Sequence, residues 1–324
     1  MTEAAAEVPP PGRPYLGAHP HRTLGYLMAL GGALLFSVNG SVSKVTLQSG
    51  VDSLSLVLLR SAGAAVCLFF LVLLADRSRL RLSRAELPLL MVYGLVGIAM
   101  VQWLYFVAIA RLPVGIALLL EFTGPVLVAF WAHFVQKQQL GRSLWLALSL
   151  ALGGLALVAE VWSGLNLDLI GVLAGFGAAI SLATYYIAGK HALTTRDTTS
   201  LAFWAFVVSA VFWSVAKPWW TVPWDALSST VSLPGALDGV SVTAWWLIAW
   251  VVVLGTVAPF LLVIGALRNL PAHEAGVVGM VEPVLAGVVA WVWLDETLTV
   301  IQIVGSLVVI AGIAVAQRAT SAAP

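Results

Sequence analysis

Charge is scarce in this sequence: Asp, Glu, Lys and Arg make up 10% of its 324 residues, against 60% hydrophobic. Soluble domains carry about a quarter charged residues, so the chain has too little polar surface to cover a globule in water. A mean hydropathy of +0.99 points the same way. The solvent must be lipid. A net charge of +1 offers nothing to a nucleic acid. The single cysteine, Cys67, stands in an apolar run and excludes an intramolecular disulfide. No Gly-x-x-x-x-Gly-Lys-[Ser/Thr] occurs, so ATP-driven pumping would need a separate subunit. His133, His191 and His273 stand near predicted helix ends without metal-ligand spacing and read as interfacial. No metal and no cofactor is expected. Membrane-embedded enzymes usually cluster paired acids and histidines at one membrane face, and no such cluster stands out, so that class is the remotest alternative.

What is present is apolar length. About 20 apolar residues cross the hydrocarbon core as a helix. Ten stretches qualify: 23–43, 53–75, 87–110, 114–135, 144–162, 169–189, 200–220, 244–267, 274–294 and 300–317. Residues 1–22 are polar and proline-rich, with Pro9, Pro10, Pro11, Pro14 and Pro20, and read as a disordered cytoplasmic tail. The first apolar stretch lacks a small-residue cleavage site and reads as a spanning helix, not a removed signal peptide. Most loops are short, so successive helices should be antiparallel neighbours. The exception, 221–243, reads as a hydrophilic hairpin containing no domain. With a cytoplasmic N-terminus, the inner loops collect Arg77, Arg79, Arg81, Arg84, Lys137, Arg142, Lys190, Arg196 and Arg268, while the outer side receives only Lys44, Arg111 and Lys217. The positive-inside rule then puts both termini in the cytoplasm of a cell-membrane protein. Trp219, Trp220, Trp224, Trp245 and Trp246 should mark the outer interface.

The chain also repeats itself. Leu112-Pro113, Ala117, Pro125-Val126-Leu127, Ala132 and Leu140 return 158 residues later as Leu270-Pro271, Ala275, Pro283-Val284-Leu285, Ala290 and Leu298. Gly97 meets Gly255 and Gly154 meets Gly312 at that offset. Upstream the offset is 146: Gly25 meets Gly171, Gly31 meets Gly177 and Lys44 meets Lys190. The longer 221–243 segment accounts for the difference. The two copies, 23–162 and 169–317, hold five helices each, and an odd number forces the second to enter the membrane from the opposite side. The expected fold is all-α: ten transmembrane helices as two inverted five-helix repeats around a central cavity, the plan of alternating-access transporters.

Ionisable groups inside a bilayer cost several kcal/mol and need a partner, water or a function. Arg60 and Glu121 each lie about seven residues in from the outer end of their helix, roughly 10 Å deep at the helical rise, where opposite charges can pair. Arg60 has no basic equivalent in the second copy, where Phe206 stands. Glu282 lies roughly 12 Å from the inner end of helix nine, and its equivalent is Gly124. Asn39, Gln102, Tyr105, Tyr185 and Tyr186 complete the candidate substrate or coupling residues. Pro125, Pro259 and Pro283 are read as helix-interior breaks, freeing the carbonyls of Glu121, Gly255 and Gly279. Gly171-x-x-x-Gly175 reads as close helix packing.

Segment 274–318, Glu274-Ala-Gly-Val-Val-Gly-Met-Val-Glu-Pro through Leu294-Asp-Glu-Thr-Leu-Thr and Gly305 to Gly312, resembles the second half of EamA-type transporters of the drug/metabolite transporter superfamily. Lys44 and Arg60 fit the pattern too. Arg111-Leu-Pro-Val-Gly-Ile-Ala-Leu-Leu-Leu-Glu-Phe-Thr-Gly-Pro125 is similar to the threonine/homoserine exporter branch. The first copy departs from the pattern, with Gln136-Lys-Gln-Gln where the second has Asp295-Glu296. The resemblance implies secondary export of amino acids or related metabolites, with a small-molecule substrate and the lipid bilayer as partners. A drug or other metabolite exporter of the same superfamily is the alternative. Coupling to protons and assembly as a homodimer stay open.

Overall fold

The computed structural model describes residues 21–112, 114–162, 168–295 and 297–321. The tail through Pro20, Pro113, the linker at 163–167 and Glu296 of the acidic pair lie outside them. Among the described residues, nine helices are long and apolar enough to cross a membrane: α1 (Arg22–Gln48), α2 (Ser53–Ala75), α3 (Leu87–Ala108), α4 (Ile116–Val135), α6 (Leu169–Ala192), α7 (Thr198–Ala216), α8 (Ala244–Asn269), α9 (Ala272–Leu294) and α10 (Val300–Arg318). A shorter apolar helix, α5 (Arg142–Val158), has 17 residues, about 25 Å of rise. This is a multi-pass, all-α membrane protein.

Several helix ends differ from expectation, each for a local reason. α7 stops at Ala216, short of 220, because Pro218 lacks a donor; Trp219–Thr221 form a separate turn. α5 ends at Val158, and Glu160 follows with a left-handed φ of 47°. α4 is interrupted at Phe122–Thr123 and α9 at Met280–Val281. Pro125 and Pro283 therefore sit in the first turn of a restarted segment, where a missing N–H costs little, and not in a helix interior. Pro259 stays inside α8, directly after a wide π turn at Val253–Val257. The 221–243 segment is more than a polar loop. Its strands β1 (Thr230–Ser232) and β2 (Ser241–Thr243) pair antiparallel, Val231 opposite Val242, and Val222, Leu227 and Leu233 are buried beneath them.

The sequence repeat is also a packing repeat. α1 lies on α8 as α6 lies on α3, while α2 pairs with α7 and α5 with α10. Exchanging each helix for the one five places on leaves this scheme unchanged. Individual contacts follow: a Cβ on Gly25 would lie 2.7 Å from Leu270 Cγ, and one on its equivalent Gly171 2.8 Å from Leu112 Cγ. Gly31 faces Leu262 as Gly177 faces Leu104, and Gly175 packs on Leu120. α5 and α10 meet backbone to backbone, with Gly154 against Gly305 O and Gly312 against Ala147 O.

One rim of the bundle is tied by surface ion pairs. Arg196 holds Glu86 at 2.9 Å and also donates to the Arg81 carbonyl. Burial opposes ionisation of Glu86 most strongly, but the hydrogen bond and charge of Arg196 together with the Ser83 N–H and Thr195 outweigh it, and the carboxyl lies below its usual range.

Candidate functional site

Between the helices lies a cavity of about 660 Å³. Asn39, Arg60, Gln102, Tyr105, Glu121, Tyr185, Tyr186, Glu282 and Pro283 all line it. Every side chain singled out as a substrate or coupling candidate therefore faces one space. Pro125 and Pro259 do not line it; they shape the helices that do.

Arg60 is 8% exposed, and its Nε donates to Thr256 Oγ1 at 3.1 Å. Thr256 can accept there because the π turn of α8 lets its own hydroxyl donate to the Val251 carbonyl at 2.7 Å. The expected pairing of Arg60 with Glu121 does not form: among the described residues no ion pair joins them. Depth along two helices does not fix their rotation: the guanidinium is held by Thr256, and Glu282 is the carboxylate whose charge acts on it. Glu282 and Glu121 interact with each other in turn, and Tyr105 and Tyr186 feel both carboxylates. Neither carboxylate receives a hydrogen bond from any described residue. Gln102 donates to the Ile98 carbonyl at 3.2 Å, while its Oε1 is buried without a donor. Asn39 packs on Gly255 and accepts from Ser43.

Around the cavity the two repeats are not alike. Arg60, Gln102 and Thr256 have Phe206, Phe260 and Ile98 as repeat equivalents. Phe206 and Phe260 meet edge to face at 4.9 Å, Tyr185 joins Phe260 at 5.9 Å, and Tyr93 stacks on Tyr185 at 5.5 Å. The polar group of Arg60, Gln102 and Thr256 thus has an apolar, mostly aromatic counterpart, a plug of packed rings.

At one end the lining includes the exposed Lys44, with Leu47, Leu294 and Gln302 nearby. At the other end Ala29, Ala33 and Ala275 are buried, and the helices are clamped beyond them. Glu274, 3% exposed, takes two 2.8 Å contacts from Arg22 and one of 2.8 Å from Tyr26. Lys190 donates to the carbonyls of Leu267 and Leu270 at 2.6 and 2.9 Å, closing the end of α8. Sequence reasoning missed Thr256 and Glu274 as functional neighbours. The signal for Glu274 was an acid in the first turn of a helix, where the dipole favours it; nothing flagged Thr256. His273 is buried in the first turn of its helix, beside the same clamp.

The EamA-like transporter family matches residues 23–159 and 169–317 of the chain, one copy per repeat. The chain belongs to the EamA-like transporter family. It is thus a membrane transporter of that family, not an enzyme. Among curated relatives, the threonine/homoserine exporter RhtA of Salmonella typhimurium strain SL1344 is 29% identical over 234 residues, 72% of each chain. RhtA of Escherichia coli K12 is 29% identical over 236 residues, again 72% of each. The uncharacterized transporter YdfC of Bacillus subtilis is 25% identical, over 75% of this chain and 76% of its own. A solved crystal structure shares the fold with a TM-score of 0.73 at 18% identity, over 92% of this chain and 97% of its own.

Proposed function

We propose that this EamA-family protein is a secondary transporter of the cell membrane that exports amino acids or related small zwitterions. Ten helices in two inverted repeats alternate access to the cavity, with both termini in the cytoplasm. One observation carries the reading: one cavity is lined by a guanidinium and by two carboxylates that take no hydrogen bond from any described residue. A zwitterion supplies both complements, an ammonium for the acids and a carboxylate for Arg60. The RhtA relatives support the same class. In this reading Lys44 and Gln302 mark the outer mouth, and the Arg22–Glu274 clamp with the aromatic plug forms the inner closure. Either acid is suited to carry a coupling proton. The aromatic wall of Phe36, Phe260, Tyr185 and Tyr186 favours a second reading, an exporter of apolar drugs or metabolites.

Two measurements test the proposal. Overexpressing cells should tolerate toxic threonine, homoserine or another amino acid and hold a smaller intracellular pool of it. Unchanged amino-acid pools alongside altered drug tolerance would move the assignment to the second reading. For orientation, single cysteines at 77–84 in a Cys67→Ser background should resist impermeant thiol reagents in intact cells, while those at 225–240 react. Labelling of the 77–84 loop from outside would reverse the topology.

A further inference from the structure

The repeat assigns Gly40 and Glu121 to the positions that Tyr186 and Gly279 hold in the second copy. There the position is closed: the Tyr186 hydroxyl lies 2.7 Å from where a Cβ on Gly279 would stand. In the first copy the chemistry is exchanged. The large side chain is replaced by glycine, the glycine by an acid, and nothing lies within 4 Å of a Cβ on Gly40. Both Gly40 and Glu121 line the cavity, and so does Gln102, 8% exposed, with its Oε1 lacking a donor. Where a tyrosine side chain starts in one half, the other thus has open space, in a cavity that Glu121 and the undonated Gln102 Oε1 also line.

From this we infer that the space at Gly40 is a cation subsite that takes the ammonium end of the substrate, with Glu121 as its counter-charge and Gly40 setting its size. This deepens the zwitterion-export reading by naming which end binds where, and it makes Gly40 a specificity-determining residue. The ligand class is a primary amine with a small substituent next to the nitrogen.

The test uses the full-length protein in membranes, with Gly40→Cys in a Cys67→Ser background. It compares an impermeant cationic reagent, trimethylammonioethyl methanethiosulfonate, with the anionic sulfonatoethyl reagent. A site faced by one sign of charge raises encounter with the opposite sign by about ten-fold or more. The cationic reagent should therefore react about ten-fold faster, relative to a free thiol in solution, and Glu121→Gln should bring the ratio to about one. Equal rates with Glu121 intact, an unchanged ratio in Glu121→Gln, or no modification by either reagent would each overturn the subsite. In parallel, Gly40→Ala should raise KM more for bulky amino acids than for small ones, and Gly40→Tyr should abolish export at normal membrane levels. Wild-type export by Gly40→Tyr also overturns it. If the wild-type protein exports no amino acid while the reagent ratio holds, the export reading falls and the cation subsite stands for another amine.

Discussion

Glu121→Gln is expected to reach the membrane at wild-type levels and to lose roughly 10- to 100-fold of its export rate, the equivalent of one charge-assisted hydrogen bond of about 1.5–3 kcal/mol. Glutamine keeps the shape and one carbonyl acceptor while removing the charge. Because Glu121 makes no hydrogen bond or ion pair with a described residue, the substitution breaks nothing in the resting fold. Alanine at Arg60 is less informative. It strips a buried guanidinium from Thr256 and Glu282, and loss of one member of a buried charged group costs about 3–5 kcal/mol, enough to confuse transport with assembly. Initial rates from proteoliposomes, normalised to protein, decide the matter. Wild-type export from Glu121→Gln would make this carboxylate a bystander, and the site would then rest on Glu282 and Arg60.

The second large effect falls on assembly. In Gly154→Leu the new Cβ would stand 2.7 Å from both Gly305 O and Val309 N, backbone atoms of α10 that have no rotamer to yield. α5 and α10 would have to separate along their whole contact. Overpacking costs about 1–3 kcal/mol and occasionally more, and a backbone-to-backbone crossing belongs at the upper end. The neighbouring Gly153→Leu supplies the control, since a Cβ there meets nothing within 4 Å; it should stay within about 0.5 kcal/mol of wild type. We expect Gly154→Leu to show little folded protein in membranes and a depressed melting transition, with Gly153→Leu unaltered. Equal melting of the two variants would show that the helix pair yields more easily than its geometry suggests.

How far the sequence reached depended on what kind of information each feature needs. Apolar length alone located the helices, because hydrocarbon tolerates no unpaired backbone and so forces each long apolar run to be helical. Aligned glycines and prolines gave away the repeat, and Gly25 and Gly171 do pack on equivalent leucines. The candidate residues converged because polar groups in such runs have few places to go other than a shared cavity. Helix ends were less legible. They depend on single prolines and turns, as at Pro218, and apolar periodicity does not register those.

The partners of the charges were beyond the sequence altogether. Counting residues from a helix end gives depth, one coordinate of three. That Arg60 meets Thr256 and not Glu121 depends on the rotation of α2 and on a π turn in α8. The clamp of Arg22 and Tyr26 on Glu274 spans about 250 residues and has no local signature. The open space at Gly40 is likewise a tertiary fact, because the same residue type is tightly covered at Gly279. Composition and periodicity determine what must leave water and in which local shape. Which side chains then meet is decided by helix rotation and packing, which depend on every neighbour at once.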